Sequence, residues 1–308
     1  MDNKKLVVIT TVRNGIEYLE KYFENVEQFA DGIIFLDDGS TDETYDIIKE
    51  HPLTKHIIRN PKRDTIKGWD QSENISKLND YVKKNMRDYD WVLLMDIDML
   101  IHPPYRIKDL MNFEYNGAPH ENTDLDMEKK LDKKYKKIPN NENAIEVDGK
   151  VILSFDPRYK EYLKWRDENP DLEQQLIDDL EHGDFCFSFH LYASSSDEHG
   201  YLPIKGNIKC PFSPQHQFRM WKNKSHYTIL PVQGSTSTGC KVHGQEYPSE
   251  IYFYFSSGCF VIHRGSATYS RRAKRYQKYT IEVDPDKKKT YEYLYPDHSQ
   301  YDVTQVKL

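Results

Sequence analysis

Residues 33–44 read Ile33-Ile34-Phe35-Leu36-Asp37-Asp38-Gly39-Ser40-Thr41-Asp42-Glu43-Thr44, and this stretch decides the fold. Four apolar residues in a row predict a strand buried on both faces, as in a parallel sheet. The run stops on two carboxylates and a glycine, which is turn chemistry. Ser40, with Glu43 three residues later, has the pattern of a capping box and predicts a helix carrying Tyr45, Ile47 and Ile48. The same strand–turn–helix pattern repeats on both sides. Upstream, Leu6 to Thr11 is a strand, and Ile16, Leu19, Tyr22, Phe23 and Val26 recur at helical spacing. Downstream come a short strand at Ile57-Ile58, a helix marked by Ile75, Leu78, Tyr81 and Val82, and a strong strand from Trp91 to Met95. Such alternation predicts an α/β fold with a mostly parallel central sheet flanked by helices.

From about 112 to 150 the character changes. EKKLDKKYKK and then PNNEN offer little to bury, so this segment reads as an excursion from the core, a charged helix and a loop. Residues 160–182 read as helical, and 185–192, 217–221 and 251–263 as strands. Residues 268–279 form a basic helix, followed by a polar, Tyr-rich tail. The chain divides into residues 1–105, residues 106–265 with the excursion at 112–150, and a C-terminal helix and tail at 266–308.

The composition excludes several classes. The 308 residues carry a formal net charge of −7, which argues against a nucleic-acid binder that works by neutralising phosphates. Mean hydropathy is −0.84, yet 13 % aromatics can fill a core, so the chain is not a disordered one. The four cysteines, Cys186, Cys210, Cys240 and Cys259, lie 24, 30 and 19 residues apart, which is neither a zinc knuckle nor a redox pair. No stretch approaches the roughly 20 apolar residues of a membrane span, and MDNKKLVVITT lacks the features of a signal peptide. The expectation is a soluble, cytoplasmic protein with no transmembrane segment.

Ligands of open parallel sheets bind beyond the carboxyl ends of the strands. Here that edge receives Asp37-Asp38 from one strand, Asp96-Ile97-Asp98 from another, and Thr11, Arg13 and Asn14 from a third. Carboxylates gathered this closely repel one another unless a cation or hydrogen-bond donors sit among them. A hard divalent metal bridging to a phosphorylated ligand accounts for the gathering economically. For Asp37-Asp38 alone, an acidic helix-capping turn explains the residues equally well; the recurrence at two strand ends favours function.

VVITTVRNG, IIFLDDGSTDET and DWVLLMDIDML together resemble the family-2 glycosyltransferases of the GT-A fold, in order and spacing, through the first hundred residues. Further on, QFRMWKN and VIHRGSATYSRRAKRY resemble that family's Arg-bearing strand and late His-Gly segment. The resemblance implies a GT-A, Rossmann-like sheet with a smaller acceptor-side half. It implies a nucleotide-sugar donor, UDP- or GDP-linked, a glycan or other hydroxyl acceptor, and a Mn²⁺ or Mg²⁺ cofactor. Transfer would proceed with inversion. Thr11 and Arg13 would line the base pocket, and Asp37, or its neighbour Asp38, would accept a hydrogen bond from the nucleobase, with Asp37 preferred. Asp96 would sit by the ribose and metal, and Asp98 and His263 would ligate the metal. Arg264, Arg271 or Lys274 would compensate the diphosphate.

This chain departs from the family at the base, because no acid closely follows the second aspartate of DIDM. Asp197 and Glu198 in SSSDEHGY are the first assignments for the base and Glu246 in HGQEY the second, while His243 is the alternative to His263. Two rival readings remain. A DxD phosphatase places its motif on the first strand and wants Thr or Val where this chain has Leu100. A protein of the same fold that binds nucleotide sugars without turnover differs only in lacking a base.

Overall fold

The computed structural model describes residues 4–62, 69–113, 127–129, 136–138, 141–147, 150–153, 185–193, 199–203, 215–229, 246–249, 251, 253–266, 269–283 and 303–307. Strand β1 (Leu6–Val12), helix α1 (Ile16–Val26), β2 (Gly32–Asp37), α2 (Thr44–Glu50), β3 (Thr54–Arg59), α3 (Gln71–Asn85) and β4 (Trp91–Leu94) follow the expected alternation. Beyond them lie β5 (Met99–His102), α4 (Arg106–Met111), β6 (Met127–Lys129), β7 (Lys136–Ile138), β8 (Asn141–Val147) and β9 (Lys150–Leu153). The C-terminal part contributes β10 (Phe185–Ala193), β11 (His199–Pro203), β12 (Gln215–Lys222), β13 (Phe253–His263), α5 (Tyr269–Gln277) and β14 (Val303–Lys307).

Nine strands form one sheet in the order β3-β2-β1-β4-β12-β10-β13-β5, with β6 also paired to β13. Strands β3, β2, β1 and β4 are parallel, β12 runs against β4 and β10, and β13 is parallel to β10. The carboxyl ends of β1, β2, β4, β10 and β13 therefore share one edge, the edge to which β12 and β5 bring their first residues. Strands from both sides of residue 105 enter this one sheet. Separately, β11 pairs with β14, and β7, β8 and β9 form a small antiparallel sheet.

The continuous apolar strands serve two cores because their side chains alternate between faces. Leu6, Val8, Phe35, Trp91 and Leu93 face α1, while Val7, Ile9, Ile34, Leu36 and Leu94 face α3. Helix α1 buries Leu19, Tyr22, Phe23 and Val26, and α3 buries Ile75, Leu78 and Val82, as their 3.6-residue spacing requires. Leu93 is fully buried between β1 and β12, so Leu93→Ala is expected to cost ~3 kcal/mol, measured from the urea midpoint.

Two local expectations are corrected. Helix α2 starts at Thr44 with Glu43 at its N-cap, so Ser40 is not the cap. Asp42 instead accepts from the Thr44 N–H at 3.0 Å, while the Ser40 hydroxyl accepts from the Asn14 N–H at 3.0 Å. In the charged excursion the described residues form strands and no helix apart from the turn at Asn112-Phe113, and α4 ends just before it at Met111. Asn141–Val147 and Lys150–Leu153 pair with Val147 opposite Lys150, which leaves only Asp148 and Gly149 between them in the sequence. Asp-Gly between β-branched runs is a strong hairpin signal, and the surrounding lysines hid it. The expected helix at 160–182 lies outside the described residues. Among the described residues no helix is long and apolar enough to cross a membrane.

Candidate active site at the carboxyl edge of the sheet

The turn after β2 is held by its own side chains. Asp37 is fully buried; one oxygen accepts from the Ser40 N–H at 3.0 Å and the other pairs with Arg59 Nε at 3.1 Å. Arg59 in turn stacks 3.6 Å over the Tyr45 ring, which fixes the guanidinium. Gly39 has φ +76°, and a Cβ there would lie 2.4 Å from the Pro61 carbonyl oxygen, so the turn requires glycine. Asn14, itself at φ 48°, accepts from the Thr41 N–H at 2.8 Å and ties β1 to the same turn.

Asp38 has a different setting. Its carboxylate accepts from Asn60 Nδ2 at 2.6 Å and lines a cavity of ~290 Å³ with Asn60, Pro61, Lys62, Asp70, Glu73, Asn74 and Lys77. Asn74 is 3 % exposed, and its Nδ2 has no hydrogen-bond partner among the described residues. A buried donor left in this way is costly unless a ligand or water satisfies it. Arg13 donates to the Asp38 carbonyl oxygen at 3.4 Å, so its guanidinium lies against the same turn. Half-buried Thr11 sits at the end of β1.

The second carboxylate cluster divides between two cations. Register places Met220 of β12 opposite Leu93, so Arg219 lies beside the end of β4. Arg219 is 1 % exposed, and its NH2 lies 3.3 Å from Asp96 Oδ2 and 3.4 Å from Glu246 Oε2. Its Nε donates to Gln217 Oε1 at 2.8 Å, and Gln71 Nε2 donates to the other oxygen of Glu246 at 2.8 Å. Burial disfavours the charge on Arg219, but Asp96 and Glu246 outweigh this and raise its pKa. Burial raises the pKa of Glu246, against the pull of Arg219 and with the help of Asp96.

His263 ends β13 opposite Met99, the residue after Asp98, and the Arg264 N–H donates to the Asp98 carbonyl at 2.7 Å. The imidazole Nε2 lies 3.2 Å from Asp98 Oδ2. Arg275 of α5 reaches both, with NH1 2.9 Å from Nε2 and 3.3 Å from Oδ2. Burial pushes the His263 pKa down to about 4 despite Asp98, and Arg275 adds to the depression, so the ring is neutral at pH 7. Burial would raise the Asp98 pKa, but His263 and Arg275 together hold it below the usual carboxylate value.

The edge thus brings together Thr11, Arg13, Asp37, Asp38, Asp96, Asp98 and His263. Arg271 and Lys274 turn elsewhere: Arg271 Nε pairs with Glu17 at 3.0 Å over the Tyr18 ring, and exposed Lys274 lies 3.9 Å from the same carboxylate. Arg275, four residues after Arg271, is the residue of the basic helix that reaches the aspartates. Asp197, Glu198 and His243 lie outside the described residues. Sequence reasoning gave no role to Gln71 or Arg219. A charged residue inside an apolar strand, as in FRMW, was the available signal for Arg219.

Among the described residues no group of three His, Cys, Asp or Glu gathers as a metal-binding cluster. Asp98 and His263 nevertheless suit a divalent ion that brings its remaining ligands with it. A carboxylate oxygen and a neutral ring nitrogen 3.2 Å apart face one positive charge, and neighbouring ligands at ~2.1 Å from an octahedral ion lie ~3 Å apart.

A search of curated proteins finds no match. A model of glycosyl transferase family 2 matches residues 7–200, which takes in β1 to β10 and both aspartate clusters, while Arg219, Glu246, His263 and Arg275 lie beyond the matched span. With well over half of its length so matched, the chain belongs to glycosyl transferase family 2, and its sheet is of the GT-A type.

Proposed function

We propose that this glycosyltransferase moves a sugar, with inversion, from a UDP- or GDP-linked donor to a glycan or other acceptor hydroxyl, with Mn²⁺ or Mg²⁺ held by Asp98 and His263. The supporting observation is the placement of a carboxylate–imidazole pair on the same sheet edge as the Asp38 cavity. The cation, when bound, would stabilise the charge of the departing nucleoside diphosphate as a Lewis acid. Asp38 accepts a ring N–H, the N3–H of uracil or the N1–H of guanine, which cytosine and adenine lack at the corresponding ring nitrogen. Asn74 Nδ2, a buried donor with no hydrogen-bond partner among the described residues, would donate to a base carbonyl, and the Arg13 guanidinium would pack on the base. Arg219 fixes the Asp96 carboxylate beside the ribose. As the bond from the anomeric carbon to the diphosphate oxygen breaks and its electron pair leaves with the nucleoside diphosphate, the acceptor oxygen bonds that carbon from the opposite face and its proton passes to a carboxylate. We assign this task to Glu246, which shares Arg219 with Asp96, and Asp197 and Glu198, the first assignments from the sequence, are the competing ones.

Calorimetric titration with UDP, GDP, CDP and ADP, each with and without Mn²⁺, tests the reading. UDP or GDP should bind tighter with Mn²⁺, and CDP and ADP should bind weakly. Donor turnover in the presence of acceptor then separates a transferase from a protein of the same fold that only binds. The two turn carboxylates should behave differently. Asp38→Ala is expected to weaken nucleoside diphosphate binding by ~10-fold or more even without metal, since it removes a charge-assisted hydrogen bond to the base. Asp37→Ala should instead lower the melting temperature, because both oxygens of Asp37 hold the turn.

A further inference from the structure

We propose that Arg275 and the divalent cation are alternative occupants of the Asp98–His263 pair, so that the enzyme exchanges its own guanidinium for the metal when it loads. The proposal rests on the metal assignment above and goes beyond it by giving the empty and loaded sites different cations.

Three observations carry it. Arg275 NH1 lies 3.3 Å from Asp98 Oδ2 and 2.9 Å from His263 Nε2, the two atoms that would bind the ion. One positive group therefore already sits where the ligand atoms converge, at hydrogen-bond distance from both. Second, the seat is shaped for this group. A Cβ on Gly265 would lie 2.0 Å from Arg275 NH1, so the guanidinium fills the space that a side chain at 265 would take. Third, the helix that carries Arg275 is anchored separately. One turn earlier, Arg271 is 9 % exposed, pairs with Glu17 on α1 at 3.0 Å and lies 4.8 Å over the Tyr18 ring. With α5 held there, Arg275 can leave the pair by rotating its long side chain while the backbone stays in place.

Coulomb's law makes the two occupants exclusive. A divalent ion bound to Asp98 and His263 with Arg275 still in its seat would put like charges within about 3 Å of each other in a partly buried site. Arg275 must therefore swing out. The anionic diphosphate is its natural next partner, and guanidinium suits phosphate oxygens. Occupancy by Arg275 lowers the affinity for metal alone, because binding must first displace it.

Mn²⁺ binding without nucleotide, followed by the electron paramagnetic resonance signal of free Mn²⁺, tests the exchange without recourse to activity. Arg275→Gln is expected to bind Mn²⁺ about tenfold tighter than the unmodified protein, a typical size for such a coupling. Arg275→Lys should fall between the two, because its shorter point charge still competes. Lys49→Gln removes an equal charge from the exposed end of α2 and should leave the affinity unchanged. Asp98→Asn should abolish binding in either background. If Asp98→Asn removes Mn²⁺ binding but Arg275→Gln does not tighten it, the exchange is overturned and the metal assignment stands. If Asp98→Asn leaves Mn²⁺ binding intact, the metal assignment fails and the exchange fails with it. Equal tightening by Lys49→Gln would reduce the effect to general electrostatics and would also overturn the proposal. Should Arg275→Gln fold poorly by circular dichroism, Arg275→Lys carries the test, and an affinity no tighter than that of the unmodified protein counts against the exchange.

Discussion

Asp98→Asn is expected to erase the effect of Mn²⁺ on nucleoside diphosphate binding. The substitution keeps the size of the side chain and one carbonyl oxygen but removes the charge that anchors a divalent ion. A metal that bridges protein and diphosphate is expected to tighten binding by ~100-fold, or ~2.7 kcal/mol, and the ratio of affinities with and without Mn²⁺ should fall from that figure to about one. Affinity without metal should change little, because the cavity beside Asp38 supplies that part. Asp98 also balances Arg275 at 3.3 Å in a site where both side chains are less than a quarter exposed, so some stability will be lost too. The two effects separate cleanly. A variant that melts lower yet keeps the full Mn²⁺ ratio would place the metal elsewhere, whereas a lost ratio in a folded protein supports the assignment.

The parallel half of the fold was legible because its strands are buried on both faces. Leu6–Val12, Gly32–Asp37 and Trp91–Leu94 carry almost nothing but apolar residues, so the sequence pattern is a direct record of burial. The edge carboxylates were legible for the same reason, since a run of that kind ends where the strand reaches the carboxyl edge of the sheet. What the sequence hid depends on contacts between distant segments. Asp37 and Asp38 look equivalent as neighbours in a turn, yet Arg59 and Ser40 claim the first and the cavity receives the second. The proposed function therefore assigns the base contact to Asp38 rather than to the Asp37 expected from the sequence, because the hydrogen bonds of Asp37 go to the turn. The basic helix presented Arg271, Lys274 and Arg275 alike, and only the position of Glu17 on α1, more than 250 residues away, sorts them. Arg219 could be noticed as a charge inside an apolar strand, but not its role, because its partners Asp96 and Glu246 lie in other segments on either side of it. The hairpin of β8 and β9 was hidden by composition rather than distance, since lysines and asparagines around it masked a short β-branched pattern.

Glu246→Gln is expected to lower kcat by ~100- to 10,000-fold, the contribution of a positioned general base, while leaving Mn²⁺-dependent donor binding near its original strength. The amide keeps one acceptor oxygen, enough for either Gln71 or Arg219 but not both, so part of the local network survives that alanine would remove altogether. The pH profile gives the more specific readout. A base works when deprotonated, and burial raises the pKa of Glu246 above the ordinary carboxylate value. The rate should therefore fall on the acid side through a limb lying at higher pH than the ~4.3 of an unperturbed glutamate. That limb should vanish in Glu246→Gln, leaving a low, flat profile. A purely structural glutamate would behave differently, because its substitution would lower thermal stability and change donor affinity while keeping the shape of the profile. Asp197→Asn and Glu198→Gln decide between the competing assignments, since only the true base removes the acid limb. If either of them does so and Glu246→Gln keeps it, Glu246 serves only to hold Arg219 in place beside Asp96.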